Sequence, residues 1–431
     1  EETVNYMVQL LDEAAAVLPW TVETPASESG RWTRAAALAY KCRILQFAAS
    51  PLFNSDQPYY PGATGNPAIW YGGYKPGLWD RCLEACEQFF NELASRGGYS
   101  LQQAKGTRPE DYRLAYRAGY ANLDSPEVLI NTRVIDIDAF KSSHYNWHQW
   151  GDPLMSIHRG YSPTQEYMEM FPMSDGTPFN FDKAVAENKM FFEENDYNKP
   201  TRDPRLYETI LVNGAKWQGR AVELWTGGRE NANSTATETG VYATGFGLYK
   251  FYKEGKNSLA GNYLEWPYLR LAEMYLIYAE ALLKNNNPSE AIKQVDKVRA
   301  RVGLKGLIES NPGKNMEDPN VLMEAILNER ACELGLEDVR FFDMIRNKRA
   351  DLFTRPLHGL LIERADGGTG SWSDKPAADR GPFPTKFKYT QFQISNSARS
   401  WWSNFNSKWY LAAFPVNEVN KGYGLVQNPG W

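Results

Sequence analysis

The side chains whose types and spacing could do chemistry here are mainly aromatic. Trp147 and Trp150 flank His148 and Gln149, and Trp70, Tyr71 and Tyr74 lie in a Gly-rich loop. Trp217, Trp225 and Arg229 surround a Gly-Gly-Arg step, and Trp401 and Trp402 precede Asn404. A flat ring packs on the C–H face of a sugar while Arg, Asn and Asp take its hydroxyls, which is the apolar platform with placed polar groups of a ligand site. Trp147, Trp150, Trp217, Trp225, Arg229, Trp70, Tyr71, Trp401 and Trp402 are therefore candidate ligand contacts. Packing is the competing account of each ring, because aromatics also fill the space between helices.

Other chemistries find less support. His144 and His148 have the i, i+4 spacing of two metal ligands on one helix face, but no Cys or acidic third ligand stands at a matching distance. Cys42, Cys82, Cys86 and Cys332 fit no zinc spacing and read as small buried hydrophobes. No G-x-S-x-G elbow, P-loop or helix-opening GxGxxG occurs. A glycosidase pair leaves no local motif, and nothing selects one pair among the 52 acidic residues. No catalytic residue, metal or cofactor is expected. Glu329, Arg330, Glu333, Glu337, Arg340, Asp343 and Arg346 alternate in sign along two helices, the pattern of ion pairs and caps between helices.

The elements that must position these residues are mostly helical. Ala35, Leu38, Cys42, Leu45 and Ala49 recur at spacings of three and four, as do Leu78, Cys82, Ala85, Phe89 and Leu93. A second hairpin runs through Leu269, Ala272, Leu276, Ala279 and Leu282, breaks at Asn285 to Pro288, and continues through Ala291, Val295, Val298 and Val302. Pro288 and Ser289 suit a helix start and Gly303 a stop. Ala279 and Ala291, twelve apart, occupy the small contact positions of a tetratricopeptide unit of about 34 residues. Such units bury their faces by stacking, so about three or more are expected, and an N-terminal helix from Val4 to Leu18 reads as part of another. Residues 98–262 are a loop-rich insertion with β-prone runs at Glu127–Val134, Leu206–Val212 and Gly247–Tyr252. A further irregular stretch spans Asp351–Lys408. The expected fold is mainly α: a tetratricopeptide-like superhelix with a loop-rich insertion face and short β segments. It reads as a single domain over 1–431, divided into 1–97, 98–262, 263–350 and 351–431. A net charge of -5 without a long basic run excludes nucleic acid as a natural partner.

Four segments carry a family resemblance. GRWTRAAALAYKCRILQFAASPLFN (30–54), YSPTQEYMEMFPMSDG (161–176), ILNERACELGLEDVRFFDMIR (326–346) and YLAAFPVNEVNKGYGLVQNPGW (410–431) resemble, in order and spacing, the motifs of the SusD/RagB family. The resemblance implies a non-enzymatic outer-membrane lipoprotein on the surface of a Gram-negative bacterium. It further implies an oligosaccharide or polysaccharide ligand, a SusC-like TonB-dependent transporter on which the protein sits as a lid, and an N-terminal lipid anchor and first helices absent from this chain. A secreted helical glycoside hydrolase and a tetratricopeptide adaptor for peptides are the rival readings. The final Gln427-Asn428-Pro429-Gly430 reads as a turn that locks the tail onto the body.

Overall fold

The computed structural model describes residues 1–63, 65, 67–134, 162–193, 196–217, 219–231, 243–251, 264–396 and 400–431. The first part is helical: α1 (Glu2–Val17), α2 (Arg34–Ala49), α3 (Gly77–Arg96) and α4 (Pro109–Ala121), followed by β1 (Val128–Val134). Two short helices, α5 (Gln165–Met170) and α6 (Pro204–Thr209), lie in the irregular part. β2 (Leu264–Arg270) runs directly into α7 (Leu271–Lys284), which is followed by α8 (Pro288–Arg301), α9 (Pro319–Glu333) and α10 (Arg340–Arg346). β3 (His358–Arg364) and β4 (Phe387–Gln393) form an antiparallel pair.

The helix boundaries follow from capping chemistry. The Thr33 hydroxyl accepts the Ala36 N–H at the start of α2 (3.1 Å), and Asp318 accepts the N–H groups of Asn320 and Val321 at the start of α9. Pro288 is the first residue of α8, capped by Asn287. Just past α8, Gly303 adopts φ +77, and a Cβ there would meet the Tyr112 ring at 2.5 Å.

The repeat core is continuous because α7 is buried on two sides. Leu271, Ala272, Met274, Ile277 and Ala281 pack with the apolar stripes of α2 and α3, onto which Ala15 of α1 also docks. Leu276, Ala279, Leu282 and Leu283 pack instead with Ala291, Val295 and Val298 of α8 and Leu322 and Ile326 of α9. The expected small contact pair, Ala279 and Ala291, is fully buried at this second interface. All four cysteines are free and buried.

A separate core fills the irregular part. Met168, Phe171, Leu206, Tyr207, Trp225, Phe246, Leu360, Ile362 and Phe387 form it. The ends of the insertion are clamped by β1 and β2, with Asn131 opposite Pro267 and Thr132 opposite Trp266. The expected strand at Leu206–Val212 is corrected by the structure. Pro204 enters at the first turn, Asp203 accepts the Arg205 N–H (2.9 Å), and residues up to Thr209 are helical. Only Ile210–Leu211 pairs as a strand, with Gly247–Leu248. At the C-terminus, Gln427 exchanges hydrogen bonds with the Phe414 backbone, and the Trp431 indole donates to Leu411 O (2.9 Å). That arrangement is the expected tail lock.

The two cores are joined by buried charge. Glu333 at the end of α9 takes guanidinium groups from Arg205 of α6, Arg270 of β2 and Arg301 of α8. Glu337 pairs with Arg270 and Lys250, Glu329 with Arg205 and Arg299, and Glu127 with Arg270 and Arg301. Burial pushes the carboxyls of Glu333, Glu337 and Asp343 upward, but the adjoining Arg and Lys charges outweigh it and hold all three below their ordinary values. Burial likewise lowers Lys250 to about 8, with Glu337 only partly opposing.

For carboxyls depressed in the fold, stability is complete above the unfolded values, 4.5 for the two glutamates and 3.8 for Asp343, and is lost as pH falls through the lower folded ones. The urea midpoint should therefore hold between pH 7 and 5 and fall steeply below about pH 4.5. Glu333→Gln should lower stability at pH 7 by about 3–5 kcal/mol, because it leaves three guanidinium groups without their shared carboxylate. A midpoint like that of the unsubstituted chain would contradict this account.

Candidate functional site

α2 presents two apolar stripes. One enters the core; the other, Tyr40, Ile44 and Phe47, recurs at spacings of four and three and forms the wall of a groove of about 900 Å³. Phe53 and Tyr71 continue that wall, and Trp266 and Tyr268, two residues apart on β2, face it. Phe342 of α10 and Val4 and Met7 of α1 complete the rim. Several rings are well placed for a ligand: Tyr268 is 53% exposed and Phe342 51% exposed.

Charge lies beneath the rings. Glu273, Arg330, Asp343, Arg346, Glu337 and Gln46 line the groove and are buried. Arg330 donates to Asp343 (2.7 Å) and reaches Glu273 (3.4 Å), while its Nη1 has no hydrogen-bond partner among the described residues. Arg346 bridges Asp343, Glu280 and the Ser50 hydroxyl. Arg43 fixes the two walls to each other by donating to Glu273 of α7 and to the Tyr268 carbonyl of β2. Lys75 lies over the Tyr71 ring, 5.4 Å from its centroid. The groove thus offers stacking surfaces on rigid elements above a floor of fixed charges, which suits a ligand with an apolar face and a hydroxylated edge.

Of the nine candidates from sequence, those whose side chains are described, Trp70, Tyr71, Trp225, Arg229 and Trp402, do not converge on one site. Tyr71 lines the groove, and its neighbour Trp70, half-buried, donates its indole N–H to Ser55 O (2.8 Å). Arg229 sits in a short turn, half-buried and 3.7 Å from Asp374. Trp225 is corrected to a core residue: it is 0% exposed, stacks on Phe387, meets Phe383 edge-on and donates to Gly370 O (3.2 Å). Its ring has no free face for a ligand. Trp402 is also buried. Trp147, Trp150, His144 and His148, and the side chains of Trp217 and Trp401, lie outside the described residues.

Sequence reasoning missed Tyr40, Phe47, Phe53, Trp266, Tyr268 and Phe342. Two signals were present: the second stripe on α2, and the alternation of Trp266 and Tyr268 with the buried Pro267 and Leu269. Among the described residues, no group of three or more His, Cys, Asp or Glu is placed to hold a metal ion. Among them, too, no helix is long and apolar enough to cross a membrane.

Stacked helical hairpins bearing an aromatic groove define a helical-repeat binding scaffold. The chain belongs to the SusD family, whose model matches residues 127–431. A SusD-like protein of Formosa agariphila, P38, is 36% identical over 98 residues, a match spanning 22% of this chain and 19% of that relative. A SusD-like protein of Bacteroides fragilis NCTC 9343 shares the fold at 23% identity and a TM-score of 0.66, covering 100% of this chain and 71% of that one. A SusD-like carbohydrate binding protein of the same organism shares it at 19% identity and a TM-score of 0.59, covering 93% and 68%.

The corrected placement of Trp225 has a direct check. Trp225→Ala should lower stability by about 3–5 kcal/mol, whereas Phe342→Ala at the rim should change it by less than about 0.5 kcal/mol. Comparable shifts in thermal melting for the two variants would return Trp225 to the surface.

Proposed function

We propose that this chain captures an oligosaccharide in the aromatic groove and passes it to a SusC-like TonB-dependent transporter, on which it sits as a lid. It would act as a surface lipoprotein of the outer membrane. Membership of the SusD family is the observation that carries this reading. The groove supports it: Tyr40, Tyr71, Tyr268 and Phe342 supply ring faces, and Arg43, Lys75 and the buried floor supply donors and acceptors. The SusD-like carbohydrate binding protein of B. fragilis, similar in fold, binds carbohydrate by its description. Of the residues proposed from sequence, Tyr71 and its neighbour Trp70 are assigned to this groove, and Trp147, Trp150, Trp217 and Trp401, whose side chains lie outside the described residues, stay proposed as contacts.

Two of the groove's buried carboxylates, Glu337 and Asp343, favour binding over bond cleavage. A glycosidase acid must hold its proton near neutrality, which requires a raised pKa. Glu337 and Asp343 are instead depressed by their Arg and Lys partners.

The test is affinity electrophoresis against a panel of polysaccharides. A retarding glycan should be found, and Tyr71→Ala and Tyr268→Ala should each weaken it about tenfold, within the range of single hot-spot side chains, with little change in melting temperature for Tyr268→Ala. Incubation with that glycan should release no reducing ends. Release abolished by one Asp or Glu substitution would replace the binding reading with the glycosidase one.

A further inference from the structure

Six of the seven charged residues singled out between 329 and 346 are paired. Glu329, Arg330, Glu333, Glu337, Asp343 and Arg346 all enter the buried network. Arg340 does not. It opens α10, is half-buried, and makes no hydrogen bond or ion pair among the described residues. Burial, the largest influence on it, lowers its guanidinium, and Asp343 opposes only in part.

Arg340 lines a second cavity, of about 560 Å³, bounded by α5, α8, α9 and α10 and by the loops near residues 172–179, 311–316 and 349–355. The other charges on its walls can be sorted by whether they are already engaged. Arg299 is bound to Glu329 (3.2 Å), Gly176 O and Ser310; Arg349 is bound to Glu324 (2.8 Å) and Asp351 (2.7 Å). Glu166 is held by His358 (2.5 Å). Lys314 and Arg355 line the same cavity, are exposed, and form no ion pair among the described residues. On the acidic side Glu169 and Glu166 have no permanently charged partner among the described residues: Glu169 accepts the Gln165 amide N–H (2.7 Å), and His358 beside Glu166 is a cation only when protonated. Arg340, Lys314 and Arg355 therefore stand as three uncommitted cations against two carboxylates.

An unpaired guanidinium withdrawn from water is unfavourable, and an oxyanion is its best complement because two parallel N–H groups can serve two oxygens of one centre. We propose that this cavity is a binding site for a small oxyanion group, a carboxylate, sulfate or phosphate, held by Arg340 with Lys314 and Arg355 at its mouth. The proposal is independent of whether the aromatic groove takes a glycan, since no side chain lines both cavities.

Equilibrium dialysis of the chain against labelled inorganic sulfate, at ionic strength fixed with sodium chloride, tests it. One sulfate should bind saturably per chain. Arg340→Gln should weaken binding about tenfold or more, the loss expected for a charge-assisted hydrogen-bonded pair. Glu169→Gln, which removes one opposing charge, should tighten it severalfold. Arg340→Gln should also melt at or above the unsubstituted temperature, because it removes an unpaired cation and breaks no ion pair. Competition identifies the source of the oxyanion. Displacement by glucuronate and glucose 6-sulfate but not glucose supports an acidic sugar, and displacement by inorganic phosphate alone supports a free ion. Non-saturating uptake, or unchanged affinity in both variants, overturns the proposal. So does failure of Arg340→Gln to fold, which would show that the guanidinium serves the fold itself.

Discussion

Glu333 meets three guanidinium groups brought from places far apart in the sequence: Arg205 in the insertion, Arg270 at the end of β2, and Arg301 at the end of α8. The repeat helices and the irregular part have separate apolar cores, so apolar packing alone does not set their mutual arrangement. Directional, charge-assisted bonds do, since each works only at one distance and orientation. The neighbouring turn shows how strongly the arrangement is enforced. Leu336 and Asp338 both adopt positive φ, +64 and +58, on either side of the buried Glu337. Non-glycine residues hold that conformation at a cost of order 1–3 kcal/mol each, and only where the surroundings over-determine it. Here Arg270 and Lys250 supply that constraint from opposite elements.

The groove depends on the same network from its other side. Arg330, Asp343 and Arg346 are both the floor of the groove and the pins between α9, α10 and α7. A ligand resting there meets dipoles and charges already oriented by the fold, with little left to reorganise on binding. On the proposed function, the groove makes a stack of helices a capture surface. The cavity around Arg340 differs in kind: Arg299 and Arg349 on its walls are paired, but Arg340, Lys314 and Arg355 form no ion pair among the described residues.

Much of the architecture was legible from residue order. Helical stripes, the Ala279–Ala291 pair and the capping residues specify the repeats, because apolar periodicity and cap chemistry act within one or two turns. The charged run from Glu329 to Arg346 was read correctly as ion pairing at every residue but Arg340, while the partners Arg205, Arg270 and Lys250 were not read, since no local pattern links residues more than 60 apart. Leu206–Val212 misled because its β-prone composition was outweighed by Pro204 and the Asp203 cap. The ligand surface was the least legible. A Trp beside Gly and Arg looks the same in sequence whether its ring is open or, like Trp225, enclosed by Phe383 and Phe387. The rings on α2 were overlooked because that helix already had a structural explanation in its core stripe, and those on β2 because no strand was read there.

That double duty of α2 bears on where the groove tolerates substitution. One side of the helix is committed to Ala35, Leu38, Cys42 and Leu45 in the core, and the other presents Tyr40, Ile44 and Phe47 to the groove. A change of ring on α2 therefore presses on a helix that cannot shift without disturbing α3 and α7. The adjoining rim is under no such restraint: the described part of the stretch from Pro67 to Lys75 is a loop, and the first turn of α1 is packed on one face only. A substitution in that loop therefore disturbs the fold less than one on α2, whose position keeps the floor in register.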